Sequence, residues 1–109
     1  MQEHPLAILN TSIVTSDGRY DLTSITLEEA RALVAAGPID SAVGHESTAA
    51  LLTTLLGVDV PTNRQLFAQA PSQLALVCKL NGRPPEGKVL SREDLEAIGY
   101  SFKILKRVS

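Results

Sequence analysis

Tryptophan is absent from the 109 residues, and only two tyrosines and two phenylalanines occur. A stacking platform for single-stranded nucleic acid needs successive aromatic faces, so that class is disfavoured. An excess of positive charge is missing too. The formal net charge is -2, so the chain as a whole does not attract polyanions, and a phosphate ligand has to be held locally. A duplex-binding role fits this balance poorly, so no duplex nucleic acid is expected as a partner. Cysteine occurs once, as Cys78 inside an apolar run. It has no internal disulfide partner, and an apolar setting gives it little thiolate character, which points to a reducing, cytoplasmic compartment and away from cysteine catalysis. No apolar run approaches the length of a membrane span, and the first residues lack a signal-peptide pattern, so no membrane is expected. The two histidines and one cysteine have no zinc-compatible spacing. A Walker-type loop and a dinucleotide fingerprint are missing as well, and neither metal nor cofactor is expected.

What is present reads as one domain spanning residues 1–109, large enough to bury roughly two-thirds of its unfolded surface. Leu6-Ala7-Ile8-Leu9 is a short apolar run that reads as a buried first strand ending at Asn10. Asn10 to Ile25 is polar and carries an Asp17-Gly18 turn, the signature of a small hairpin. Thr26 and Glu29 have capping-box spacing, Leu27, Ala30, Leu33 and Val34 form an apolar stripe, and Gly37-Pro38 ends this first helix. Ile39 to Val43 reads as a strand. A second helix runs from about Ser47 to Leu56, with Gly57 beyond its end, and its leucines and alanines cover most of its circumference. Such a helix is buried on two sides, against its own sheet and against a second subunit. Arg64 to Gln69 and Gln73 to Leu80 read as strands around Ala70-Pro71-Ser72, the second apolar on both faces and therefore central. A third helix begins at Ser91, with Asp94 completing a weaker capping box, and ends at Gly99. Tyr100 to Lys106 alternates polar and apolar residues, as a half-exposed edge strand does. The expected fold is α/β: a mixed, mostly parallel sheet of about five strands flanked by helices.

Two segments carry chemistry. Gly44-His45-Glu46-Ser47-Thr48 places a histidine at the mouth of an apolar helix. A helix N-terminus attracts anions, and a histidine there can also move a proton to a leaving oxygen. The plain alternative is a helix-entry histidine bonded to a backbone carbonyl, with Ser47 serving only as a cap. Arg83-Pro84-Pro85-Glu86-Gly87-Lys88 is a stiff, charged loop. From Lys79 to Lys88 three basic residues face one acidic residue, a local net charge of +2 on an acidic chain. An arginine there can clamp a phosphate with two hydrogen bonds. Asn10, Thr11 and Ser12 close the first strand; their default role is turn formation. Ligands of open α/β sheets nevertheless bind at the carboxyl ends of strands, where Asn10, His45 and Arg83 all fall if their strands run parallel.

Asn10 after its apolar strand, Ala42-Val43-Gly44-His45-Glu46-Ser47-Thr48, Asn63-Arg64 and Gly82-Arg83-Pro84-Pro85-Glu86-Gly87-Lys88-Val89-Leu90 resemble a family of small ring nucleases. Viral members of that family act as type III anti-CRISPR proteins, and bacterial members occur on mobile elements and beside type III CRISPR systems. The resemblance runs from about Leu6 to Lys106. It implies a homodimer that binds cyclic tetra-adenylate across its interface, under a lid formed by the loop around Arg83. It implies metal-independent cleavage, in which a ribose 2′-hydroxyl attacks the adjacent phosphorus and gives linear di-adenylate with a 2′,3′-cyclic phosphate. On this mapping His45 is the general acid, and Arg83 and Glu86 complete the catalytic set. Substrate contacts fall to Asn10, Thr11, Ser12, Gly44 and Ser47, and on the later segment to Lys79, Gly82, Gly87 and Lys88. Lys79 stands where viral members can carry a glutamine. Ser12 follows the asparagine by two residues rather than the viral three. The alternative from a different class is a non-catalytic sink or sensor for cyclic oligonucleotides, which has no need of His45.

Overall fold

The structure, a computed structural model, describes residues 5–10, 14, 17–65, 67–81 and 92–109; the side chains of Arg92 and Leu95 fall outside that description. Eight elements follow one another: β1 Leu6–Leu9, β2 Tyr20–Ile25, α1 Leu27–Ala35, β3 Ile39–Ser41, α2 Glu46–Leu56, β4 Leu74–Leu80, α3 Arg92–Ile98 and β5 Tyr100–Arg107. The strands form one sheet in the order β2-β5-β4-β1-β3.

The chain folds this way because its strands alternate between two apolar layers. Leu6, Ile8, Leu76, Cys78 and Phe102 point to one side, where Ala30 and Val34 of α1 and the leucines of α2 complete the main core. Ala7, Leu9, Ala75, Val77 and Leu105 point to the other side. There the cover is an extended segment whose Phe67 packs onto the sheet, with Tyr20 beside it. The helical core residues thus gather on one face of the sheet.

Three expectations need correction. The sheet is mixed rather than mostly parallel: β1 pairs parallel with β3 and β4, while β5 pairs antiparallel with β2 and β4. The last strand is not an edge. It lies between β2 and β4, and its alternation arises because Ser101 and Lys103 are only partly covered on one face, not because one side lacks a neighbour. Arg64 to Gln69 is not a strand where described: it crosses the second face outside the sheet ladder, pinned by Phe67 and by the buried Gln69 amide, which donates to the Gln73 and Leu105 carbonyls at 2.7 and 2.8 Å. β4 is central, as its two apolar faces predict. Within the Asn10–Ile25 stretch, β2 pairs with β5; residues 11–13 and 15–16 of the expected hairpin lie outside the described residues. So does Ser91, the expected cap of α3.

Candidate functional site

Strands β1, β3 and β4 run the same way, so their carboxyl ends open on one edge of the sheet. In doubly wound proteins that edge is where ligands bind. Asn10 leaves β1 there, and the chain leaving β3 reaches Gly44 and His45 within four residues.

The path after β3 is held by a nearby connector. Buried Ser41 donates its hydroxyl to the Pro61 carbonyl at 2.7 Å and accepts from the Val43 N–H at 3.3 Å. The Asn63 side chain donates to the Ser41 carbonyl at 2.8 Å, and its backbone N–H donates to Val43 at 2.8 Å. These bonds aim the chain into α2, whose N-cap is His45 with extended backbone angles, φ -119° and ψ 124°. The His45 side chain is exposed and makes no capping hydrogen bond. A helix start without such a bond leaves first-turn N–H groups unsatisfied, with the positive end of the dipole beside them. The His45 side chain is therefore not spent on capping α2. Ser47 is exposed in the same first turn and is not the cap either.

Arg64 is the residue that sequence reasoning left without a role. Its guanidinium donates weakly to the Gly44 carbonyl at 3.4 Å, and its stem lies 3.5 Å from where a Gly44 side chain would begin. That places a cation one residue from His45. The signal was non-local: positions 44 and 64 become neighbours only through the Ser41, Pro61 and Asn63 bonds.

Asn10, Lys79 and Thr48 line one pocket of about 220 Å³, floored by Leu51, Leu52, Leu55, Cys78 and Leu80. It sits between the carboxyl ends of β1 and β4 and the flank of α2. The structure thus brings Asn10 and Lys79 together, and adds Thr48 one helical turn past His45. His45, Gly44 and Ser47 are not part of the pocket wall. Thr11, Ser12, Gly82, Arg83, Glu86, Gly87 and Lys88 lie outside the described residues. Gly99 supports this end of the sheet: it has φ +88°, a left-handed conformation that favours glycine, and its carbonyl accepts from the Asn81 N–H at 2.9 Å. A larger open cleft of about 570 Å³ lies between the starts of α1 and β5, walled by Thr26, Glu28 and Tyr100 among others, and none of the described site residues, Asn10, Gly44, His45, Ser47 or Lys79, lines it.

Burial pushes the Cys78 thiol up to about 12 from its ordinary 9.0. At neutral pH it is a packed apolar group, not a nucleophile. Folding therefore loses stability from this thiol only as pH climbs from about 9 toward 12, where the unfolded chain ionises first. Native protein is expected to resist N-ethylmaleimide at pH 8 and to react promptly once unfolded; fast labelling of the native form would contradict this burial. Among the described residues no three histidine, cysteine, aspartate or glutamate side chains gather into a group able to hold a metal ion. No described helix is long and apolar enough to cross a membrane.

With this geometry in hand, comparison with known proteins defines the class. The solved structure of B116 from Sulfolobus turreted icosahedral virus superposes with a TM-score of 0.81, covering 95% of this chain and all of that one at 22% sequence identity, so the two share a fold. The family pattern described as STIV B116-like matches residues 6–102, and the chain belongs to that family. Its relatives are viral and bacterial. The uncharacterised protein YddF of Bacillus subtilis is 38% identical over 105 residues, covering 94% of this chain and 97% of its own. Uncharacterised protein 26 of Sulfolobus islandicus filamentous virus is 40% identical over 87 residues, or 78% of this chain and 73% of that one. Protein ORF117 of Acidianus two-tailed virus is 34% identical over 110 residues, covering 94% and 93%.

Proposed function

We propose that this protein is a ring nuclease that opens cyclic tetra-adenylate, without a metal ion, into linear di-adenylate ending in a 2′,3′-cyclic phosphate, and so switches off type III CRISPR signalling. The observation that carries the reading is His45: an exposed imidazole at the open start of α2, uncommitted to capping, on the sheet edge where Asn10 and Lys79 meet. The family's spread over viruses and bacteria suits a role in conflict between them.

The chemistry asks little of the protein. The substrate ribose supplies the nucleophile, its 2′-oxygen, which bonds to phosphorus as the bond to the neighbouring 5′-oxygen breaks. The leaving oxygen needs a proton, and His45 donates it. First-turn N–H groups of α2 and the Arg64 guanidinium beside Gly44 offset charge on the phosphate. In this reading Arg83 and Glu86 complete the catalytic set. The ring has four phosphates and two-fold symmetry, which matches a homodimer supplying one such set per subunit.

The test is incubation with cyclic oligoadenylates of several ring sizes in EDTA, followed by chromatography. Linear di-adenylate with the cyclic phosphate from the four-membered ring is the expected product. A ring that is bound but recovered intact would make the protein a sink or sensor, and a ring neither bound nor cleaved would overturn the proposal altogether.

A further inference from the structure

Strand β5 outruns its neighbour. It begins at Tyr100, whereas β2 leaves the sheet after Ile25 and enters α1 at Leu27. Their ladder therefore ends at the Ile25–Phe102 pair, one hydrogen-bonding step short of the start of β5.

Backbone parity shows which way Tyr100 faces. The Val108 N–H donates to the Arg19 carbonyl at 2.6 Å, so the even-numbered residues of β5 turn their N–H and C=O groups toward β2. On the opposite side the Gly99 carbonyl accepts from the Asn81 N–H at 2.9 Å, in step with that alternation. The Tyr100 N–H and C=O thus open toward the space that β2 would fill if it ran on. That space is the cleft of about 570 Å³, within the usual size range of ligand pockets and walled by Ile25, Leu27, Glu28, Glu96, Tyr100 and Phe102 among others. Its charge has one sign: Glu28 and Glu96 line it, and among the described residues no basic side chain does. Glu28 is exposed and stays out of the α1 capping box, which uses Glu29. Glu96 already makes an interaction within its own chain, so Glu28 is the carboxylate on which the argument rests. The Tyr100 ring is steadied edge-to-face by Phe102, with centroids 5.7 Å apart.

We propose that this cleft is a docking site for an arginine in an extended segment of another protein, added to β5 where β2 leaves off. The guest residue exchanges both backbone hydrogen bonds with Tyr100, as in strand addition to a sheet edge. Directly opposed residues of an antiparallel pair send their side chains to the same face. The guest side chain therefore enters on the Tyr100 and Phe102 face, between α1 and α3. A guanidinium there can fork onto the Glu28 carboxylate and lie against the Tyr100 ring, while Ile25 and Leu27 cover its stem. Lysine offers no such fork. Ile98 already belongs to α3, so the edge provides a single pair; binding is weak and reversible, and its selectivity rests on the side chain. None of Asn10, His45 or Lys79 lines the cleft, and the inference stands whether or not the nuclease reading does.

The test is a titration of ¹⁵N-labelled protein with the capped tripeptide acetyl-Ala-Arg-Ala-amide to millimolar concentration, followed by amide chemical shifts. Saturable movement of the Tyr100 amide is expected. Replacing the guest arginine with citrulline removes the charge, and replacing it with N-methyl-arginine removes the N–H that meets the Tyr100 carbonyl. Each change should weaken binding several-fold. So should Glu28→Gln, with circular dichroism confirming the fold. Spermidine, a cation without a peptide backbone, should not reproduce the Tyr100 shift. A Tyr100 amide that does not move, binding unaffected by citrulline, by N-methylation or by Glu28→Gln, or an equal response to spermidine would each overturn the proposal.

Discussion

Helices α1 and α2 start in opposite ways. At α1, Thr26 accepts from the Glu29 N–H at 3.1 Å while the Glu29 carboxylate accepts from the Thr26 N–H at 3.1 Å, a complete capping box. At α2, the cap is His45, exposed and without a side-chain bond to the helix. A serine, threonine, aspartate or asparagine at a cap stabilises a helix by about 1 kcal/mol over residues that cannot bond there. The chain takes that stabilisation at α1 and forgoes it at α2, although α2 carries five buried residues of the core. A helix packed that tightly does not need its cap, so the position is free for another use. The difference between the two starts is the physical argument for the chemical role proposed for His45.

That contrast can be broken or sharpened by substitution. The largest expected effect is on turnover: His45→Ala should slow ring opening by about 10²–10⁴-fold, the usual worth of general acid help, with the thermal midpoint almost unmoved. Thr26→Ala should do the reverse, leaving turnover intact while costing about 1 kcal/mol, or roughly 4 °C in a melting experiment. A somewhat smaller effect on stability is expected from His45→Ser. It installs the missing cap and should raise stability by about 0.5–1 kcal/mol in denaturant titration while slowing turnover as much as His45→Ala; a variant that loses both stability and turnover would contradict the division of labour. The smallest is Glu29→Gln, which keeps the reciprocal bond but removes the negative charge beside the α1 dipole, for about 0.3 kcal/mol in the same titration.

Local features of this molecule were legible in its sequence, and non-local ones were not. The α1 capping box spans four residues, and the Gly57 stop, with φ +75°, follows from a single position; both stand in the structure as read. β4 was recognisable as central because both of its faces are apolar. β5 was misplaced as an edge because alternation reports which face is covered, and says nothing about hydrogen-bonding neighbours. The Arg64–Gln69 segment has the apolar content of a strand, yet its buried polar group bonds to Gln73 and Leu105 rather than to a ladder. At the site, the strand-end rule anticipated that Asn10 and the Gly44-His45 turn would share an edge, and local charge drew attention to Lys79. The approach of Arg64 to Gly44 depends on three hydrogen bonds from residues about twenty positions apart, which no periodicity encodes.

The central claim is that His45 hands a proton to the departing 5′-oxygen. A cyclic tetra-adenylate with sulfur in place of each bridging 5′-oxygen tests it most directly, because a thiolate leaves without protonation. Single-turnover cleavage of the oxygen ring should be far slower for His45→Ala than for the unaltered protein, and on the sulfur ring the two should cleave at nearly the same rate. An equally large deficit on both rings would contradict the assignment and leave His45 with a binding role only.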